Sequence, residues 1–221
     1  MSKNASLFMP VVSLFGANVL SELADRVKSL GGKKPLVITD KGMTQLCYTK
    51  QVTDLLDQAS IAYAVFDETI PNPTDKNVEQ GVAAYQKGQC DMLISLGGGS
   101  AHDCCKGVGL VVSNGGVIAD YEGVDQSKNS LPPYIAINTT AGTASELTRF
   151  TIITNTSNHV KMAIVDWRVT PDLAINDPLL MMKMPPSLTA ATGMDALTHA
   201  VEAYVSTDAN PITDACALQA I

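Results

Sequence analysis

The chain alternates short, unbroken apolar runs with longer stretches in which apolar residues recur every three or four positions. The first kind suits parallel strands buried on both faces, the second amphipathic helices. Residues 10–15 read as an opening strand that stops at Gly16. Residues 19–30 read as a helix, with Leu20, Leu23, Ala24, Val27 and Leu30 on one stripe and Gly31-Gly32 behind it. Residues 35–40 form a continuous apolar strand that finishes on Asp40. A helix follows over 52–59, a strand over 62–67, the turn Pro71-Asn72-Pro73-Thr74, a helix over 78–86 and a buried strand over 92–96. Strands and helices in alternation predict an α/β fold, a doubly wound and mostly parallel sheet.

Beyond residue 100 the pattern loosens. Residues 134–140 read as a strand, 150–155 and 161–166 as a hairpin around Thr156-Ser157-Asn158, and 173–176 as one more short strand. After Pro185-Pro186 the texture turns Ala-rich and helical over 187–206, with no further strand. A boundary is expected within residues 180–186. That leaves an α/β domain over 1–182 and the start of a second, all-helical domain over 183–221. Asn210-Pro211 opens a last helix, and the chain stops at Ile221 in mid-pattern, so the second domain reads as truncated. Leu197, Val201 and Ile221 are then expected on an exposed apolar face.

Composition narrows the partners. Of 221 residues, 46% are hydrophobic, enough for a real core, and the formal charge is −7. An acidic chain with no Lys/Arg run is a poor ligand for nucleic acid or an anionic membrane. No apolar run approaches the ~20 residues a spanning helix needs. The opening Met1-Ser2-Lys3-Asn4 does not lead into a secretory core. Five cysteines, with no C-x-x-C pair, read as reduced thiols of a cytoplasmic protein.

Three constellations carry candidate chemistry. Gly97, Gly98, Gly99 and Ser100 follow a strand and open a helix. Without Cβ atoms the backbone N–H groups can approach an anion such as a pyrophosphate, helped by the Ser100 hydroxyl and the helix end. A ligand-free tight turn is the competing reading, and the G-x-G-x-x-G spacing is absent. Asp40, at a strand end, can accept hydrogen bonds from the ribose hydroxyls of NAD and repel the 2′-phosphate of NADP, or simply cap the next helix. Asp195 and His199, at i and i+4, lie on one helix face and suit two ligands of a divalent ion. For a bare D-x-x-x-H an ion pair or a capping His is the commoner explanation. His102 and His159, the other histidines, have no evident route to His199.

Together Gly97-Gly-Gly-Ser-Ala-His-Asp103, Asn138-Thr-Thr-Ala-Gly-Thr-Ala-Ser-Glu146 and Ala191-Thr-Gly-Met-Asp-Ala-Leu-Thr-His199 resemble the iron-containing (group III) alcohol dehydrogenases. The resemblance implies NAD and a divalent metal as cofactors, iron first and zinc second. It implies a small alcohol or aldehyde as substrate, and a homo-oligomer, at least a dimer. Carried over, Asp40 reads the adenosine ribose and Asn72 lies near the adenosine half. Gly98, Gly99 and Ser100 hold the pyrophosphate. Thr139 and Thr140 contact the cofactor near the cleft, with Thr148, Lys161 and Leu180 in the same groove. Asp195 and His199 become the first two metal ligands, and the family's two further histidines would lie downstream of Ile221. The 221 residues alone are therefore expected to be inactive. Two other readings stay open: an NAD-binding module without chemistry, and an NAD/metal enzyme of the dehydroquinate-synthase kind, in which extra Lys/Arg groups would surround the substrate.

Overall fold

The computed structural model describes Met9 and residues 11–221. The expected strand position Pro10 and the opening Met1-Ser2-Lys3-Asn4 lie outside them. Six parallel strands make the main sheet: β1 (Val12–Phe15), β2 (Pro35–Ile38), β3 (Ala64–Phe66), β4 (Met92–Gly97), β6 (Tyr134–Asn138) and β9 (Leu173–Asn176). They stand in the order β1-β9-β6-β4-β2-β3. Side chains alternate across the pleat and feed two cores. Leu36, Ile38, Leu93, Tyr134 and Ala136 join one, with α4 (Asp75–Gly88) and α5 (Gly99–Asn114). Val37, Met92, Ile94, Leu96, Ile135 and Ile137 join the other, with α1 (Leu23–Ser29) and α3 (Tyr48–Gln58). Burial on both faces is why these strands read as unbroken apolar runs. Each fully buried Leu or Ile contributes about 1.5–3 kcal/mol.

The chain runs outward from β2 to β3, returns to place β4 on the other side of β2, and continues outward through β6 and β9. Winding therefore reverses between β2 and β4. In open α/β sheets the crevice at the carboxyl ends of two such strands is where ligands bind.

Two expected helices differ in detail. The stretch 19–30 divides into a 3-10 turn (Val19–Glu22) and α1, after Asn18 at φ 66°. The helix expected from residue 52 starts earlier, at Tyr48. A short helix α2 (Lys41–Gln45) precedes it, and Cys47 at φ 63° breaks the two apart. The expected hairpin forms as β7 (Phe150–Asn155) and β8 (Val160–Val165). A two-residue strand β5 (Gly123–Val124) pairs parallel with β8 to complete a second, three-stranded sheet.

Beyond residue 183 the chain is helical, as α6 (Pro186–Val205) and α7 (Pro211–Ala220). Leu197, Val201 and Ile221 are exposed there, together with Met194, Val205 and Leu218. Among the described residues all five cysteines are free; Cys90, Cys104 and Cys105 are buried. Burial pushes the Cys104 thiol up to about 12 and the Cys105 thiol well above its ordinary value. Burial thus disfavours the thiolate, the form a nucleophile needs.

Candidate functional site

A cleft of about 820 Å³ opens at the switch point. Its floor is residues 98–101 and Asp40; its far walls carry Asn72, Thr139, Thr140, Ile152, Lys161 and Leu180. The first two turns of α6 close one side with Leu188 and Thr192.

Gly97 sits at φ +149°, a conformation L side chains rarely adopt, and a Cβ there would lie 2.8 Å from the Ala101 Cβ. Gly98 and Gly99 are demanded by packing. A Cβ on Gly98 would stand 2.9 Å from the Thr140 side chain, and one on Gly99 2.9 Å from the Thr143 hydroxyl. The loop over residues 139–143 therefore presses on the glycine loop. Gly98 caps α5 without a side-chain bond, and its carbonyl accepts from the N–H groups of Ala101 and His102 at 3.0 and 3.2 Å. The orphan N–H groups at the start of this 16-residue helix, with its positive end, face the cleft. That is an anion-binding arrangement.

Asp40 is indeed a helix cap: its Oδ1 accepts from the Met43 N–H at 3.0 Å. The other oxygen is left over, 3.5 Å from where a Cβ of Gly97 would stand. Capping uses one oxygen and leaves the second available to another donor.

Three of the expected residues are tied together across the cleft. The Lys161 ammonium donates to Asn72 Oδ1 at 2.9 Å, and the Asn72 N–H donates to the Ser100 hydroxyl at 3.3 Å. Asn72 is at φ 53°, which Asn tolerates better than most residues. Its turn is pinned to β7 by the Thr154 N–H, which donates to the Pro73 carbonyl at 2.8 Å. Thr139 donates its N–H to the Gly97 carbonyl at 3.0 Å, and Thr140 donates to Asn138 Oδ1 at 3.1 Å. Thr148 lies outside the lining. Its hydroxyl and carbonyl accept from the ammonium of the fully buried Lys106, which also donates to Ser145 and to the Phe150 carbonyl. Burial pushes Lys106 down to about 8, against the pull of Asp103 and Glu146.

Asp195 and His199 do not line the cleft. They continue along α6 at i+7 and i+11 from Leu188, on the face that Leu188 and Thr192 turn to it. The His199 Nε2 to Asp195 Oδ1 distance is 3.6 Å, and both side chains are exposed. Among the described residues no third His, Cys, Asp or Glu joins them. An imidazole and a carboxylate on one exposed face fit part of the shell of a divalent ion and leave its remaining positions open.

Several lining residues escaped the sequence reading: Lys41, Glu68, Thr143, Ile152 and Thr154. Thr143 lies inside a quoted motif. Ile152 and Thr154 alternate on a strand, with Lys161 paired opposite Thr154. Lys41 and Glu68 directly follow a strand-end segment, which is the signal that would have found them.

A doubly wound sheet with a glycine turn and a helix start at its switch point places the chain among the nucleotide-binding class of α/β folds. Residues 10–178 match the family described as iron-containing alcohol dehydrogenase, and residues 189–221 match the C-terminal part of the Fe-containing alcohol dehydrogenase family. The chain belongs to the iron-containing alcohol dehydrogenase family.

Alcohol dehydrogenase 4 of Schizosaccharomyces pombe is 55% identical over 217 residues, covering 98% of this chain and 51% of the relative. The 1,3-propanediol dehydrogenase of Klebsiella pneumoniae is 51% identical over 215 residues, covering 96% and 56%. A crystal structure of 1,3-propanediol oxidoreductase superposes with a TM-score of 0.95 at 50% identity, covering 98% of this chain and 57% of that one. Sulfoacetaldehyde reductase from Bifidobacterium kashiwanohense, solved in complex with NAD+, superposes with a TM-score of 0.89 at 32% identity, covering 98% and 57%. The chain thus spans a little over half the length of the relatives it matches. Membership of this family disfavours the dehydroquinate-synthase reading.

Proposed function

We propose that this chain supplies the dinucleotide-binding part of an NAD-dependent, metal-assisted alcohol dehydrogenase, which moves a hydride between a small primary alcohol or diol and NAD. The observation that carries the reading is the switch-point cleft, with the free N–H groups at the start of α5 on one side and the spare Asp40 oxygen on the other. Relatives named as alcohol and 1,3-propanediol dehydrogenases, and a neighbour solved with NAD+, support it.

The backbone N–H groups of Gly99 and Ser100 and the Ser100 hydroxyl take the pyrophosphate. Asp40 accepts from a ribose hydroxyl and repels a 2′-phosphate. Asn72, Thr139, Thr140, Lys161 and Leu180 shape the rest of the groove, with Thr148 behind it. Asp195 and His199 hold part of the metal shell. When bound, NAD supplies the hydride acceptor, and the divalent ion, iron in the family's name and zinc as the alternative, supplies Lewis-acid polarisation of the alcohol oxygen. The contribution of this chain is position and a sheltered, mostly apolar cleft. Residues 1–182 act as the NAD domain and 183–221 as the opening of a helical, metal-binding one. The exposed apolar residues on α6 and α7 support a surface that packs on further protein, and a homo-oligomer in the cytoplasm fits the reading. Among the described residues no helix is long and apolar enough to cross a membrane.

Calorimetric titration with NAD and NADP tests the proposal. Binding of NAD is expected, with NADP at least tenfold weaker and the gap narrowed in Asp40→Gly. A folded chain that binds neither would overturn it. Stoichiometric NAD binding with no NADH formed from short alcohols, even in a chain extended by a relative's C-terminal segment, would favour a binding module instead.

A further inference from the structure

The adenosine end of the cleft holds more charge than Asp40. Lys41 follows Asp40 directly, and its side chain lines the same wall, as does Glu68. The Lys41 ammonium is not free. It lies 2.7 Å from Asp67 Oδ1 and 2.6 Å from Glu68 Oε1. Asp67 is held in turn by the Thr44 hydroxyl, which donates to its second oxygen at 3.3 Å. Asp67 and Glu68 directly follow β3, the strand beside β2, so the pairing is built by sheet topology. Lys183 is the other cation of this wall. It is engaged as well, donating to the Leu46 carbonyl at 3.3 Å and lying over the Tyr48 ring at 5.2 Å. Three carboxylates against two ammoniums, Lys41 and Lys183, leave the Asp40 end net negative by one charge.

We propose that Asp67 and Glu68 form a second determinant of cofactor choice, holding Lys41 away from the position a 2′-phosphate would occupy, so that Lys41 is a latent phosphate-binding cation. The inference rests on the dinucleotide reading above and deepens it. An ammonium bonded to two carboxylates presents little positive potential to a third anion, and the surplus negative charge opposes a phosphate dianion. Removing Asp40 alone lifts one repulsion but provides no attraction. Neutralising Asp67 and Glu68 provides it, because the Lys41 side chain is more than half exposed and has room to swing on its four-carbon stem. Exposed pairs of this kind contribute little to folding, so the variants should stay folded.

The test compares NAD and NADP affinities by calorimetry in four proteins checked by circular dichroism: wild type, Asp40→Gly, Asp40→Gly/Asp67→Asn/Glu68→Gln, and the last with Lys41→Met. Asp40→Gly/Glu68→Gln serves in place of the triple variant if Asp67→Asn disturbs the fold. The triple variant is expected to bind NADP at least tenfold more tightly than Asp40→Gly does. The gain should fall with added salt and disappear with Lys41→Met. A triple variant no better than Asp40→Gly, or a gain that survives Lys41→Met, would overturn the latent-cation proposal while leaving the NAD site standing. A folded wild type that binds no NAD would overturn both.

Discussion

Acid should destabilise this protein through one histidine. His102 is fully buried beneath the glycine loop. Its Nδ1 shares a 2.7 Å hydrogen bond with the Ser95 hydroxyl, which makes another of 2.7 Å with the Tyr134 hydroxyl. Its Nε2 has no hydrogen-bond partner among the described residues. Burial, with the Lys106 charge added, pushes His102 down from 6.5 to about 3. A folded pKa below the unfolded one means that the unfolded chain binds the extra proton between pH 6.5 and 3. Stability is therefore full above that window and lost as pH falls through it. The loss reaches about 2 kcal/mol by pH 5 and approaches about 5 kcal/mol at the acid end. With a urea slope near the top of the usual range of about 1–3 kcal/mol per M, the midpoint should drop by roughly 0.7 M between pH 7.5 and 5. Asp103 and Glu146, whose pKa values burial raises, push the other way, but they are common to both proteins compared. The assay is urea denaturation of wild type and His102→Asn at both pH values. Asn offers Ser95 a polar partner and does not titrate. The variant should lose far less than wild type; equal losses would show that His102 does not titrate with folding.

Three further outcomes are expected. Gly99→Val should weaken NAD binding at least tenfold, and Gly99→Val/Thr143→Ala, which removes the side chain a Cβ would strike, should restore packing but not affinity; recovery of NAD binding in the double variant would reduce the loop to a turn. Lys106→Met strips the donor from three carbonyls and leaves Asp103 without its buried counter-charge, so denaturant titration should register a loss of about 3–5 kcal/mol, and a loss under about 1 kcal/mol would contradict the network. Iron(II) or zinc titration of the chain should show weak binding that His199→Ala abolishes; tight stoichiometric binding that survives His199→Ala would point to other donors, His159 first.

The main sheet was legible because its strands are buried on both faces, which leaves an unbroken apolar run in the sequence. The glycine loop and Asp40 were legible because chemistry at strand ends requires unusual residue types. Other features had no such signal. The start of helix α5 was expected after the glycine loop, but its length was not, and it carries Gly107 and Gly109 in its middle. At Gly107 a Cβ would lie 2.9 Å from Val78 on α4, so the glycine serves helix packing. Asn18 and Cys47 adopt positive φ ahead of Val19 and Tyr48, where the two helical stretches begin, and neither residue type announces it. Lys106 is the clearest case. A lysine in a helix reads as a solvated residue, yet this one is fully buried, because three of its acceptors are backbone carbonyls of the segment 145–150. Backbone acceptors leave no trace in residue type.

That burial bears on how the cleft keeps its shape. Asp103 and Lys106 stand three apart on α5, the helix whose start faces the cleft, and both reach the same neighbouring segment. Asp103 accepts from the Ser145 hydroxyl at 2.8 Å and the Ile152 N–H at 3.3 Å, while Lys106 donates to Ser145, Thr148 and Phe150. The segment that carries Thr143 and Ile152 into the lining is thereby fastened to the helix that supplies the anion-binding N–H groups. Thr140 and Thr143 press on Gly98 and Gly99 from the same side, so the floor and one wall move as a unit. A ligand meeting such a cleft orders few residues on arrival, and less of its interaction energy is lost to ordering. The buried ions also explain why the sequence tolerates three glycines in a row beside a helix. The backbone freedom those glycines would otherwise have is restricted by their contacts with Thr139, Thr140 and Thr143, and the buried network holds the segment that follows these residues.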